Sequence, residues 1–396
     1  MLVDVYLNLD DVRKRLGRLM KTAKGIAFQY NDEFIATGLD VSPFAWPRQA
    51  GLKKCNPSAG LLPGFIEDAL PDAWVNALWA LKLGVTQKHW ARFMGLERLT
   101  WMGRDGMGAL EFEPAVKPSV QVAVHDLALP VIAKDIEGVF KGEASQKTAS
   151  TLLALSGFAG GSRPKIACWV SDDMKRIVSQ LTDSTSLTPW LIKFRSPGDK
   201  WDSGVQEYVS SIVAKRAGIG MPPTHLFVVG DDAWLGVERF DRQGYAKRHR
   251  VSVAGLLDCD DRTPFDYSQL LMMTARLSSY ADVLEQFRRA VFNYSIGNCD
   301  DHAKNFSFLM DAKGQWRVSP AYDLVTSEAI GGEHMTTVCG LGKNVGRDTF
   351  YELAKDFKIP KREATLILDE VADAVSGYQA LAKDYGVREP KAVRPI

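Results

Sequence analysis

Residues 297–306 read GNCDDHAKNF: two adjacent acids, a histidine, a lysine and an asparagine, directly after an apolar and aromatic run. The run before them sets Val283, Phe287 and Val291 on one helical face, with Leu284 and Tyr294 beside it, so the helix can pack on a core and deliver the polar stretch to a fixed place. After it, residues 306–310 (FSFLM), 311–314 (DAKG) and 315–319 (QWRVS) describe a β-hairpin that runs into Pro320, Ala321, Tyr322, Asp323 and Leu324. A hairpin returns its second strand to the start of the first, so Asp323 is expected near Asn305. That geometry gathers Asp300, Asn305 and Asp323. Two carboxylates and an amide oxygen make a hard oxygen set suited to Mg²⁺, which takes few protein ligands and keeps room for water and phosphate oxygens.

Such a site needs a place for a nucleotide, and the middle of the chain offers one. Residues 157–165, GFAGGSRPK, form a glycine-rich turn before a strand, where small residues let backbone N–H groups approach a phosphate. The turn lacks the spacing of a Walker loop or a dinucleotide fingerprint. Lys193 lies in the strand-like LIKF, facing opposite to Ile192 and Phe194, and a lysine on an apolar strand wants an anionic partner. Glu207, early in the next helix, can orient that lysine or simply complement the helix dipole. Glycine loop, strand lysine, helix glutamate, strand pair, helices, Asp-x-x-x-x-Asn, hairpin and Asp follow the order of parts in a protein kinase. Around the loop, Asp301 reads as a solvated neighbour and His302 as a structural or orienting hydrogen-bonding residue. Lys304 can neutralise phosphate or simply balance the carboxylates beside it.

The coarse pattern fits an α+β chain in three parts. Residues 1–115 offer short strands at 3–7 and 25–30, a helix in LPDAWVNALWALKLG stopped by Gly84, and a short strand in GALEFEP at 108–114. A Val- and Pro-rich linker opens residues 116–242, followed by a helix at 126–140, strands at 165–170 and 190–194 around a polar loop, a helix at 206–217, and two strands at 225–229 and 234–239 joined through Gly230. Residues 243–396 are mainly helical, with helices at 268–279, 281–295, 347–357 and 361–383. The expected architecture is a bilobal, protein-kinase-like fold with a small mixed lobe, a helical lobe and an added N-terminal domain.

With 396 residues and 46% hydrophobic content, the chain has room for about two or three domains, each with a core. Its 49 basic and 48 acidic side chains nearly cancel, which removes the positive excess that would recruit nucleic acid or an anionic membrane. No apolar run approaches a membrane span, and the start MLVDVYLNLDDV carries acids where a signal peptide would carry Lys or Arg, so the reading is cytoplasmic. The cysteines at 55, 168, 259, 299 and 339 include no Cys-x-x-Cys pair, which argues against a disulfide frame or structural zinc; Cys299 reads as an unreactive small residue.

The sequence resembles the HipA family of serine/threonine kinases, the toxin components of bacterial toxin–antitoxin modules, over nearly its whole length. The resemblance rests on DDHAKNFSF (300–308), SPAYDL (319–324), GVERFDR (236–242), LIKF, GGSRPK, GFIEDALPD (64–72) and GALEF (108–112). It implies that the added domain is of the HipA N-terminal type, that Asp300 accepts the substrate hydroxyl proton, and that Asn305 and Asp323 hold Mg²⁺. It further implies that Lys193 binds the ATP phosphates near Gly160, Gly161, Ser162 and Lys304, that Glu238, Arg239 and Phe240 meet the adenine at a hinge, and that Asp241 lies near the ribose. Members can phosphorylate a serine of their own glycine-rich loop, for which Ser156 and Ser162 are the candidates. The resemblance also implies a HipB-like DNA-binding antitoxin as partner, with DNA engaged only through it, and an aminoacyl-tRNA synthetase as the kind of protein substrate. His302, and Tyr-Asp-Leu in place of Asp-Phe-Gly, depart from standard protein kinases and are HipA-like. A small-molecule or lipid head-group kinase of the same fold, or a catalytically silent binding module, are the alternatives.

Overall fold

The structure is a computed structural model that describes residues 1–396 apart from 24, 56–61, 87–94, 117–125, 181–185, 201, 261 and 328–329. Most of the expected Val/Pro-rich linker and the middle of the polar loop between the strands at 165–170 and 190–194 lie outside the described residues. The chain forms two compact units: residues 1–199, 227–259 and 309–314, and residues 200–226, 260–308 and 315–396.

The first unit opens with β1 (Leu2–Leu9), where Val3, Val5, Leu7 and Leu9 alternate inward as a half-buried strand requires. With β2 (Val12–Thr22), β3 (Gly25–Tyr30), β4 (Leu52–Lys54) and β5 (Leu110–Glu113) it makes an antiparallel sheet in the order β4-β3-β2-β1-β5. Strand β2 was not expected, because VRKRLGRLMKT is too basic to look like a strand. Its outer face is neutralised from neighbouring strands: Arg15 and Arg18 reach Asp4 at 2.6 and 2.7 Å, and Arg13 reaches Glu111 at 2.7 Å. Leu16 and Leu19 point into the core. Gly17 is required, since a Cβ there would fall 2.4 Å from the Gln29 carbonyl oxygen. Helix α1 (Ala73–Leu83) ends at Gly84 in the left-handed region, as its sequence indicates.

A second antiparallel sheet follows, built from β6 (Lys165–Ser171), β7 (Ile177–Val178), β8 (Leu187–Lys193), β9 (Thr224–Val229) and β10 (Asp232–Glu238) in the order β7-β6-β8-β10-β9. Before it come α2 (Leu129–Lys141) and α3 (Gln146–Ser156). The helix expected from 126 begins only at Leu129, because Asp126 is bridged to Val178 and Pro130 suits a first helical turn. Helix α3 carries little apolar pattern in the sequence, and its polar start is held by the Ser145 hydroxyl accepting the Thr148 N–H at 3.0 Å.

The second unit is helical: α4 (Ser203–Arg216), α5 (Tyr267–Leu277), α6 (Tyr280–Ile296), α7 (Arg347–Asp356), α8 (Lys361–Ser376) and α9 (Tyr378–Asp384). Helix α6 is the core of this unit, with Val283, Phe287 and Val291 buried and Phe287 packed edge-on against Phe350 of α7 at 6.0 Å. Burying each such side chain stabilises the unit by roughly 1.5–3 kcal/mol. The single helix expected over 361–383 is two helices, separated at Gly377, where Tyr378 starts a new one. Among the described residues, no helix is long and apolar enough to cross a membrane.

Candidate active site

Helix α6 ends at Gly297, whose φ of 69° only glycine adopts at low cost, and the chain turns at once into the polar loop. Asn298, almost wholly buried, donates to Asn293 Oδ1 at 3.1 Å and to the Asp323 carbonyl oxygen at 3.4 Å. The Asp300 N–H donates to Ser327 Oγ at 3.0 Å, and Asn305 Nδ2 closes the turn on the Asp300 carbonyl oxygen at 2.8 Å. The two adjacent acids then part company. The Asp300 side chain is 64% exposed, whereas that of Asp301 is 0% exposed.

The solvated role expected for Asp301 is therefore corrected. Its Oδ1 accepts the Thr336 N–H at 3.1 Å, and its Oδ2 accepts the Tyr267 hydroxyl at 2.9 Å and lies 3.2 Å from His334 Nδ1. Asn293 Nδ2 in turn donates to the Tyr267 hydroxyl at 2.9 Å. Burial and the neighbouring Asp301 charge push the Tyr267 phenol well above its ordinary pKa, so it stays a donor. His302 Nε2 stands 3.9 Å from Asp300 Oδ1, too far for a hydrogen bond, and its buried Nδ1 finds no hydrogen-bond partner among the described residues.

The hairpin forms as expected from β11 (Ser307–Met310) and β12 (Trp316–Val318), and the Ser319 N–H donates to the Ser307 carbonyl oxygen at 3.0 Å. The Tyr322 hydroxyl then donates to the Lys304 carbonyl oxygen at 2.7 Å. Asn305, Tyr322 and Leu324 line one small recess together with Arg289, Asn298 and Asp301. Asp323, between Tyr322 and Leu324, takes a φ of 53°, an uncommon conformation for a non-glycine residue that recurs where backbone strain serves a site.

These donors fit a hard cation. Asn305 spends its Nδ2 on the loop, which leaves Oδ1 as the amide atom for a ligand, and Asp323 supplies a carboxylate. Among the described residues, no group of three or more His, Cys, Asp or Glu side chains is placed to hold a metal. A cation here would have to complete its shell with water and phosphate oxygens, the habit of Mg²⁺ rather than of zinc.

The remaining expected residues divide between the units. Glu207, buried in α4, belongs to the second unit with Asp300, His302, Lys304, Asn305 and Asp323; the others belong to the first. There the glycine-rich loop leaves α3 through Gly157 in the left-handed region and passes Gly160 and Gly161, the latter at φ 97°. The Gly161 N–H donates to Asp72 Oδ2 at 2.6 Å, and Lys165 Nζ donates to the Gly160 carbonyl oxygen. Ser162 is exposed. Ser156 is not: it is fully buried at the end of α3, donating to the Leu153 carbonyl oxygen at 2.8 Å and accepting the Phe158 N–H at 3.3 Å. Its expected role as a phosphate acceptor is closed off by that burial.

Lys193 stands in register with Leu235 on one side and with Lys165 on the other. Lys165, which opens β6, thus lies directly opposite Lys193, a juxtaposition that sequence reasoning passed over. Its only signal was a charged residue opening an otherwise apolar strand. Along β10, Glu238 is half-buried, and burial raises its pKa. Phe240 is also half-buried. Asp241 is fully buried, bound by Arg239 at 2.9 Å and Arg242 at 2.7 Å, and it accepts the Gly108 N–H at 2.8 Å. Burial alone would push its carboxyl up, but the two guanidinium groups and that N–H hold it far below the carboxylate range. The expected ribose contact of Asp241 is corrected accordingly, and Arg239 is committed to the same cluster.

A sheet-bearing unit with a strand lysine beside a glycine-rich loop, and a helical unit with an Asp-x-x-x-x-Asn loop, hairpin and Asp, define a kinase-like fold. The chain matches the HipA N-terminal domain over residues 3–113 and the HipA-like C-terminal domain over residues 157–378, and it belongs to the HipA family. It is similar to “Putative kinase Y4mE” of Sinorhizobium fredii (strain NBRC 101917 / NGR234), with 25% identity over 352 residues covering 82% of this chain and 79% of that protein. It also resembles the serine/threonine-protein kinase toxin HipA of Shewanella oneidensis, with 26% identity over 146 residues, 31% of this chain and 34% of that one. A solved structure of the Shewanella oneidensis MR-1 toxin–antitoxin system, HipA and HipB with operator DNA, matches with a TM-score of 0.69 and 18% identity, covering 98% of this chain and 92% of that one.

Proposed function

We propose that this protein is an ATP- and Mg²⁺-dependent serine/threonine protein kinase, with residues 1–115 as a HipA-type N-terminal domain, 116–242 as the nucleotide-binding lobe and 243–396 as the catalytic lobe. The observation that carries this reading is the loop itself: an exposed Asp300 on a backbone fixed at both ends, with Asn305 lining a small recess beside Tyr322 and Leu324, the chain neighbours of Asp323. Asp300 would accept the proton of the incoming hydroxyl. Asn305 and Asp323 would hold Mg²⁺, which supplies charge neutralisation on the phosphate oxygens. Lys193, with Lys165 opposite and the Gly160–Gly161 amides nearby in sequence, would bind the ATP phosphates; Glu238 and Phe240 would meet the base. Lys304, His302 and Glu207 would act as orienting groups.

The family supports placing the protein in a toxin–antitoxin pair, with a HipB-like antitoxin as partner and a translation protein such as an aminoacyl-tRNA synthetase as substrate. Ser162, exposed in the loop, is the position for self-phosphorylation. The test is incubation of purified protein with labelled ATP and Mg²⁺, with and without cell extract, for the wild type, Asp300→Ala and Asp323→Ala, followed by phosphosite mapping. Label on a protein or on Ser162, lost in both variants, supports the reading. Tight nucleotide binding with no transfer to any protein sinks it.

A further inference from the structure

The Asp301 side chain has no access to solvent, yet it holds the loop that presents the exposed acid beside it. Its carboxylate joins two segments remote in sequence. From α5 comes the Tyr267 hydroxyl, itself braced by Asn293 of α6; from beyond the hairpin come the Thr336 N–H and His334 Nδ1. The Asp301 carbonyl oxygen also accepts the Thr336 hydroxyl, and the neighbouring Cys299 carbonyl oxygen accepts the Met335 N–H at 3.2 Å. His334 is fixed in turn by stacking on Tyr294, with ring centroids 3.7 Å apart. Residues 334–336 therefore run along the back of the loop and hold it at positions 299 and 301, on either side of Asp300.

A buried carboxylate is tolerated only where its hydrogen bonds are complete, and here each bond ends on the backbone or side chain of a packed element. We infer that Asp301 is a positioning residue: with Thr336 it sets the height and direction from which Asp300 meets its hydroxyl. This rests on the kinase reading for its consequence, but not for its geometry. A displacement of about 1 Å at a reacting group costs about 100-fold in rate.

The experiment compares wild type, Asp301→Ala, Asp301→Asn and Thr336→Val by two readouts on the full chain. The first is amide hydrogen exchange at residues 298–305, with α8 as internal reference. The expected result is exchange at least about tenfold faster in the loop of Asp301→Ala and Thr336→Val while α8 is unchanged. The second is phosphoryl transfer: kcat falls about 100-fold in Asp301→Ala with the KM for ATP unchanged, and Asp301→Asn, which keeps one accepting oxygen, recovers about tenfold of that. Loop exchange unchanged in Asp301→Ala, or faster exchange throughout the chain in both Asp301→Ala and Thr336→Val, overturns the inference. So does a loss of kcat that Asp301→Asn does not partly restore. A wild type that transfers no phosphate counts against the kinase reading alone, and the exchange data still decide the role of Asp301.

Discussion

The loop at 297–305 and the loop at 157–165 carry the two halves of the proposed chemistry, and they are built in opposite ways. In the first, side chains of α5 and α6 hold the side chains of Asp301 and Asn298, Ser327 and Thr336 from beyond the hairpin hold its backbone, and one exposed carboxylate stands on that fixed base. In the second, glycines carry the turn and Ser162 is open to solvent, while Asp72 accepts the Gly161 N–H, Lys165 donates to the Gly160 carbonyl oxygen and Arg163 pairs with Asp199 at 3.2 Å. A group that must aim at a hydroxyl needs a backbone with one conformation. A loop that must accept a polyphosphate needs amides that can change partner. The largest effect should therefore come from the fixed loop: Asp300→Ala is expected to lower transfer by about 10³-fold while unfolding stability stays within about 0.5 kcal/mol, because the deleted carboxylate is exposed. Retained transfer in a folded Asp300→Ala breaks the comparison at its stronger end.

The cation pair should come next. Asp323→Asn and Asn305→Ala are expected to raise the Mg²⁺ concentration that half-saturates transfer by about 10–100-fold, and excess chelator should abolish transfer in the wild type. If Mg²⁺ titrations of both variants overlay that of the wild type, the oxygen donors lie elsewhere. Lys193→Met follows, with an expected rise in the KM for ATP. A hydrogen bond to a charged group is worth about 1.5–3 kcal/mol, so kcat/KM should fall by about 10–100-fold. Lys165 stands opposite and would keep part of the positive potential, which sets Lys193→Met below Asp300→Ala. An effect of Lys193→Met on kcat alone would assign that lysine to the reacting centre instead of to nucleotide binding.

The two loops were also unequally legible in the sequence. An apolar helical face followed by a cluster of polar residues and a hairpin pattern is a local signal, and it found the loop of Asp300 and Asn305 and the hairpin that precedes Asp323. Local signals stop there: in a loop, no period tells which of two adjacent acids faces inward, so Asp301 read as solvated although the fold buries it. What decides its direction is Tyr267, His334 and Thr336, far away in sequence and carrying no pattern of their own. The same limit explains Asp241. The run ERFDR shows opposite charges in proximity, but only the approach of Gly106 and Gly108, whose carbonyl oxygens bind Arg242 at 2.7 and 2.9 Å, turns them into a buried cluster. Ser156 was misplaced for a simpler reason: QKTASTLLALS has little apolar periodicity, so the helix that buries its last serine went unseen.

The smallest effect concerns Asp72, and it tests whether the glycine loop is as adjustable as the comparison requires. Asp72 occupies the N-cap position of α1 without capping it; its carboxylate instead accepts the Gly161 N–H at 2.6 Å. An anion thus already sits on an amide that a phosphate would want, and the incoming nucleotide must take that donor from it. Asp72→Asn keeps the accepting oxygen but loses the charge. That exchanges a charge-assisted bond for a neutral one, a weakening of about 1 kcal/mol. Exchange at the Gly161 amide should then quicken by about fivefold, and ATP affinity, measured by calorimetry, should rise by a similar factor, because like-charge repulsion with the phosphates is removed along with the competing bond. If ATP affinity falls instead while the Gly161 amide exchanges faster, Asp72 is a strut that pre-forms the loop. The glycine-rich turn would then belong with the fixed loop around Asp300, and the two loops would be built on one principle after all.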